Sequence, residues 1–254
     1  LRRIWSILLY TPSTGILHYL AVHQKEFGLA LQPENEIAVI NMALGSAYAG
    51  KISAVGTSGG GFDLMHEALS FAGIAEIPIL AIDAQRGSAS TGLPTYSGQA
   101  DLLSSVYVSH GEFPRIVAAP STTEECYEMS AELLKLAWKF QTPVIMLSDK
   151  QLSESYKTTK FSNIDKIKLQ LGKGDERYKI TANGISPMII PGTANSISKV
   201  LSYEHDEKGY SIEDPEMAAK MQYKRALKKD AIIAEMKKLE TVKTFGKSDI
   251  IVFA

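Results

Sequence analysis

The 254-residue chain is predicted to fold as an α/β protein with a mostly parallel sheet flanked by helices. Three observations carry this. Short apolar runs alternate with helix-length segments over residues 1–150. Residues 77–82 are apolar without alternation, as a parallel strand covered on both faces requires. The composition, 45% apolar and 22% charged, is that of an ordinary globular chain.

Residues 7–10 read as a first buried strand. A signal peptide led by Arg2 and Arg3 is the weaker reading, because the apolar part is short and no small-residue cleavage site follows. Thr11 is placed to cap a helix whose first residue is Pro12, and Gly28 to stop it. Residues 37–49 form an almost wholly apolar helix closed by Gly50. A strand at 52–57 leads into the tight turn Ser58-Gly59-Gly60-Gly61. Helix 64–72, capped by Gly73, precedes strand 77–82 and a long polar loop over 83–98. After a short strand at 116–119, Thr122 and Glu125 offer a capping box for a helix running to about Phe140. Residues 144–147 are a last strand. This first domain is assigned to residues 1–165.

Beyond Lys150 the composition shifts to polar, lysine-rich sequence and then to turn residues. Residues 215–240 read as a charged helix with Met221, Leu227, Ile232, Ile233 and Met236 inward and its lysines and arginines on a solvated face. Residues 166–247 are therefore a connecting segment. Residues 248–254 read as the truncated start of a further α/β domain, and a chain that opens on Leu1 reads as a piece of a longer one.

Lys+Arg number 27 and Asp+Glu 28, which argues against nucleic acid or an anionic membrane as a partner. No run approaches the ~20 apolar residues of a membrane span. Cys126 is the one cysteine, which excludes an intrachain disulfide, a Cys-based zinc site and a self-contained iron–sulfur cluster.

Several segments can carry chemistry. Thr11-Pro12-Ser13-Thr14 stands at a strand-to-helix junction, where free N–H groups favour an anion, or where a cap does structural work alone. Glu36 opens an apolar helix. It either answers the helix dipole or faces a ligand as a buried carboxylate with a raised pKa. Thr57-Ser58-Gly59-Gly60-Gly61-Phe62 lets backbone approach a ligand closely, yet it is neither a P-loop nor a dinucleotide fingerprint. Arg86, at the carboxyl end of a parallel strand, can clamp a carboxylate with two bonds, or it forms an interdomain ion pair. His110 has no nucleophile elbow beside it and reads as a structural or interface histidine. Glu204-His205-Asp206-Glu207 reads as a hydrogen-bonded turn rather than a metal cluster.

Taken in order, these segments resemble the alpha subunit of the 2-oxoacid:ferredoxin oxidoreductases, in the branch that includes 2-oxoglutarate synthase. The likeness runs through Glu34-Asn35-Glu36-Ile37-Ala38, the glycine turn, Gln85-Arg86, Ser90 to Thr95, His110 to Pro114, Leu147 to Lys150, Gly184 to Pro187 and Glu204 to Glu207. Leu8-Leu9-Tyr10 and Ser88-Ala89 depart from it, where the family usually carries Tyr-Pro-Ile and a Gly-Pro pair. The resemblance implies a pyrimidine-type thiamine-diphosphate-binding domain. Glu36 would bond the pyrimidine N1′, and Thr57, Ser58 and Gly59 would line the cofactor. Thr11 and Arg86 would hold the substrate carboxylate. It further implies a partner beta subunit carrying diphosphate and Mg2+, iron–sulfur clusters on partner subunits, ferredoxin as electron acceptor, coenzyme A as acyl acceptor and a cytoplasmic location. The alternatives are a non-catalytic partner subunit that kept the fold and a thiamine enzyme with a lipoyl acceptor.

Overall fold

The computed structural model describes residues 4–7, 12–165, 167–244, 246, 247 and 250. Within them, β1 (Ile4–Ile7), β2 (Leu29–Leu31), β3 (Ser53–Thr57), β4 (Ile79–Gln85), β5 (Ile116–Ala118) and β6 (Pro143–Asp149) form one sheet, ordered β2-β1-β3-β4-β6-β5. Every pairing is parallel. The order reverses between β1 and β3 and again between β4 and β6. Open α/β sheets bind ligands outside the carboxyl ends of their strands at such reversals.

Helices α1 (Thr14–Val22), α2 (Gln24–Phe27), α3 (Glu36–Tyr48), α4 (Gly60–Asp63), α5 (His66–Ile74), α6 (Leu102–Val106), α7 (Thr123–Phe140), α8 (Lys150–Glu154) and α9 (Pro215–Met236) complete the set. The pleat sorts the core. Ile79, Ala81, Ile145 and Leu147 meet Val39 and Ile40 of α3 and Leu69 of α5 on one face. Leu80, Ile82, Val144 and Met146 meet Leu133, Leu136 and Phe140 of α7 on the other. Each such aliphatic side chain contributes ~1.5–3 kcal/mol by leaving water. Both faces are thus dry, which is why the central strands carry no polar alternation.

Several boundaries differ from expectation. The first strand is Ile4–Ile7; residues 8–11, with the expected Thr11 cap, lie outside the described residues. Helix α1 begins at Thr14 after Ser13, so Pro12 is not its first residue. β2 escaped notice because three residues show no period. Gly73 lies inside α5 rather than after it, and a Cβ there would fall on the Phe113 ring. The Thr122 hydroxyl accepts from Glu125 N–H at 3.2 Å, but the Glu125 carboxylate turns to Ser121 N–H at 2.7 Å, so the box is only half closed. Residues 248, 249 and 251–254 of the expected further domain lie outside the described residues.

The largest correction concerns α9. Asp214 caps it, accepting from Glu216 and Met217 N–H. Its inward residues include Met221 and Ile232, but also Lys224, Arg225 and Lys228, while Ile233 is exposed. Lys220 and Lys229 are exposed as expected, but Lys224, Arg225 and Lys228 are not on the solvated face. Lys224 and Lys228 each place Nζ 2.5 Å from the Glu76 carboxylate, and all three side chains are at most 1% exposed. Arg177 donates to the Glu76 carbonyl at 2.7 Å and to Gln141 Oε1 at 2.8 Å. Burial opposes ionisation of Glu76, but Lys228, Lys224 and Arg177 outweigh it and hold the carboxyl well below the usual carboxylate range. Burial also pushes Lys228 down to about 7, against the pull of Glu76.

Breaking a buried ion pair leaves an uncompensated charge, at ~3–5 kcal/mol. Glu76→Gln strands the cations at once. Urea denaturation at neutral pH should show a loss of that size. A variant as stable as the wild type would mean that the cluster is not held by charge.

Candidate active site

Three of the sheet's crossovers deliver residues to the carboxyl ends of the strands. Asn35 caps α3, accepting from Ala38 N–H at 2.9 Å, and so fixes where Glu36 enters the helix. At the first helical position the carboxylate suits the positive helix end. Glu36 is nonetheless only 3% exposed, and its Oε1 is buried with no hydrogen-bond partner among the described residues. An unpaired buried acceptor costs ~1–3 kcal/mol, so this oxygen is suited to a donor from outside the chain.

The turn after β3 meets that carboxylate. Gly61 N–H donates to Ser58 O at 2.9 Å, closing a β-turn. Gly59 takes φ 45°, ψ −115°, values close to the first central position of a type II′ turn, where glycine dominates. Helix α4 then starts at Gly60. A Cβ on Gly61 would press on Thr57 Oγ1 and stand 2.5 Å from Glu36 Oε1. The missing side chain is what lets Glu36 and Thr57 close on the turn. Thr57 Oγ1 is a second buried polar atom with no partner among the described residues, and Ser58 is fully buried beside it.

Arg86 follows β4 and is 5% exposed. Its Nε lies 3.6 Å from where a Gly59 Cβ would be, so the guanidinium packs on the turn. The loop beyond is tied back on itself: Leu93 N–H donates to Gly87 O at 2.8 Å, and a Gly98 Cβ would stand 2.8 Å from the Arg86 carbonyl. Ser88, at the departure from the expected glycine, takes φ 74°, a left-handed geometry that costs a serine ~1–3 kcal/mol.

Glu36, Thr57, Ser58, Gly59 and Arg86 therefore gather around one turn. Thr11 lies outside the described residues. Two residues were missed: Asp83 and Asp101. Asp83, expected to open a loop, is fully buried inside β4 and accepts from Gly59 N–H at 3.1 Å. An acid within a continuous apolar run was the available signal. His110 is exposed and borders a separate cavity of about 380 Å³ between α5 and α9. The Glu204 to Glu207 segment is a hydrogen-bonded turn: Asp206 accepts from Lys208 and Tyr210 N–H, Glu207 from Ile180 N–H, and Glu204 pairs with Arg225.

A parallel sheet whose switch point gathers a buried glutamate, a glycine turn and an arginine defines a domain that binds a cofactor at the carboxyl ends of its strands. The chain belongs to the family described as pyruvate flavodoxin/ferredoxin oxidoreductase, thiamine diphosphate-binding, whose model matches residues 9–224. It is 38% identical over 258 residues to a protein of Sulfurisphaera tokodaii named 2-oxoacid:ferredoxin oxidoreductase 1, subunit alpha, covering 93% of this chain and 41% of that one. It is 39% identical over 190 residues to a Mycobacterium tuberculosis protein named 2-oxoglutarate oxidoreductase subunit KorA, covering 72% and 29%. A solved 2-oxoglutarate:ferredoxin oxidoreductase from Magnetococcus marinus, with 2-oxoglutarate, coenzyme A and succinyl-CoA bound, superposes with a TM-score of 0.87 at 38% identity, covering 92% and 42%. The chain thus spans about two fifths of the length of its first curated relatives.

Gly61→Ala should destabilise the domain by ~1–3 kcal/mol through overpacking. Thr57→Ala in the same chain should return part of that loss, since it removes one of the two obstacles. A thermal-unfolding double-mutant cycle reads the coupling. Strict additivity would deny the close approach.

Proposed function

We propose that this chain is the pyrimidine-side part of the alpha subunit of a 2-oxoacid:ferredoxin oxidoreductase. The reaction is the oxidative decarboxylation of a 2-oxoacid, 2-oxoglutarate or a relative, to an acyl-coenzyme A, with electrons passed to ferredoxin. One observation carries the reading: the buried Glu36 Oε1, without a hydrogen-bond partner among the described residues and seated against a turn that only glycine permits, in a thiamine-diphosphate-binding domain. The names of the relatives supply the reaction class.

The residues fit a nitrogen ring. Glu36 Oε1 would accept a ring N–H and so set which nitrogen of the pyrimidine carries a proton. Thr57, Ser58 and Gly59 would line the ring, with the Thr57 hydroxyl available to it. Arg86, with Thr11, would hold the substrate carboxylate until it departs as carbon dioxide; a guanidinium does this with two parallel bonds. Water is kept from the turn by burial of Thr57, Ser58 and Gly61. Thiamine diphosphate, once bound, supplies the carbanion chemistry, and the protein supplies orientation and electrostatics. The proposal assigns diphosphate and Mg2+ to a partner beta subunit, iron–sulfur clusters to partner subunits, and the assembly to the cytoplasm. Among the described residues, no helix is long and apolar enough to cross a membrane.

Glu36→Gln keeps the shape and loses the charge. In the assembled complex, turnover should fall by ~10²–10⁴, the usual worth of a proton-handling group. Turnover near wild type would leave Glu36 only its helix-dipole role.

Arg86→Lys should lower kcat/KM by roughly 10–150-fold, the loss of one charged hydrogen bond. The loss should be alike for pyruvate, 2-oxobutyrate and 2-oxoglutarate, because the carboxylate beside the carbonyl is common to them. A loss confined to 2-oxoglutarate would reassign Arg86 to the distal carboxylate. Lower stability with unchanged kinetics would make it an ion pair.

A further inference from the structure

Asp83 is an acid in a strand whose other residues up to it are apolar, and it is fully buried. Oδ1 accepts from Gly59 N–H at 3.1 Å. The carboxyl of Asp101, the residue just before α6, interacts with that of Asp83. Oδ2 of each is buried, and no N–H or O–H group of another described residue reaches either. Two carboxyl groups bond one another only with a proton between them, because two carboxylates side by side repel.

We propose that Asp83 and Asp101 share one proton, and that this bond is a positioning device that clamps the Gly59 turn to the loop carrying Arg86. The roles of Gly59 and Arg86 rest on the function proposed above; the clamp itself does not.

What the clamp holds is visible around it. Gly59 stands between the Asp83 carboxyl, which takes its N–H, and the Arg86 guanidinium, which packs where its side chain would be. Asp101 N–H donates to Gln85 Oε1 at 3.0 Å, so the far end of the loop returns to the end of β4 beside Arg86. Both carboxyls face Asp63 of α4, and the Arg86 charge favours the ionised form of Asp101. Asp83 is therefore the member that keeps the proton. Its neighbours in register, Thr57 of β3 and Leu147 of β6, do not titrate in this range.

Burial first, and the Asp101 carboxylate second, push Asp83 up to about 8, against the Gly59 N–H. The unfolded chain would titrate this group near ~3.9. Folding thus binds a proton. The stability it brings is complete below ~4 and is lost as pH rises through about 8.

Asp83→Asn tests this, because an amide can accept from Gly59 and donate to Asp101 at any pH. In the assembled wild-type enzyme, kcat/KM should fall by about tenfold per pH unit above about 8. Thermal stability should also decline between ~4 and about 8. In Asp83→Asn both dependences should flatten. Asp83→Ala, which cannot hold Gly59, should raise KM across the range, and Asn should restore it at neutral pH where Ala does not. An alkaline fall kept unchanged in Asp83→Asn overturns the proposal. Should the wild-type enzyme turn over no 2-oxoacid, the functional reading fails and the unfolding arm still decides: a flattened slope supports the clamp, and equal slopes overturn it.

Discussion

One carboxylate holds the part of the chain after β6 to the sheet. Glu76 meets Lys224 and Lys228 of α9 through its two oxygens and Arg177 through its carbonyl. Gln141 receives Arg177 on its side chain and Lys228 on its carbonyl, at 2.8 and 3.2 Å, and donates to Ser186 O. Glu76 and Gln141 both adopt positive φ, 52° and 49°. A non-glycine residue in that region costs ~1–3 kcal/mol and persists where its surroundings over-determine it. Both residues are held by several buried polar partners, which is the kind of surrounding that keeps such a conformation in place. A buried ionic group of this kind is weak evidence of stability and better evidence of a specified arrangement. Here it selects one seat for α9 among the many that its apolar residues alone would accept.

The site depends on that arrangement less than on the sheet's order. Glu36 follows β2, the Gly59 turn follows β3 and Arg86 follows β4, so three separate crossovers each deliver one group to the same rim. Loops placed this way are set by rigid strands but not by one another. Direct contacts supply the mutual alignment. Gly61 lets Glu36 rest on the turn, and Asp83 reaches from inside β4 to the Gly59 amide. Catalytic geometry tolerates little slack, since ~1 Å of misplacement can cost about a hundredfold. An acid within the sheet is a costly way to grip a turn, yet it grips from the most rigid element available.

The sheet was legible because a strand buried on both faces is uniformly apolar, and residues 77–82 and 144–147 could hardly be anything else. Glu36, the glycine turn and Arg86 were legible because each breaks its local pattern. Lys224 and Lys228 of α9 were not. Periodicity assigns lysine to the solvated face, and the partner that reverses this assignment, Glu76, lies 148 residues away in sequence. Asp83 was misread for a related reason: an acid after an apolar run looks like the end of a strand, whereas here it makes a polar contact from inside the strand. Gly73 shows the same limit, since its role is set by the Phe113 ring rather than by any helix end. In each case the missing information was a long-range pairing, which no local window contains.

The two buried acids are opposite solutions to one problem. Glu76 is kept ionised by cations, whereas Asp83, facing Asp101 and Asp63, is kept neutral by burial and like charge. Their pH consequences also oppose. Glu76 adds stability that is lost only in acid, as its carboxyl protonates. Asp83 adds stability that is lost as pH rises through about 8. Lys228 acts in the other direction from Asp83: burial holds it at about 7 in the fold, below its unfolded ~10.4, so stability rises with pH between those values. Near and above neutrality the cluster under α9 and the clamp beside Arg86 therefore respond with opposite sign. Alkaline conditions that relieve the buried lysine are the same conditions that charge Asp83. The scaffold can then outlast the alignment of its site, because the groups that fasten α9 and the groups that fasten the turn are different residues whose charges change stability in opposite directions.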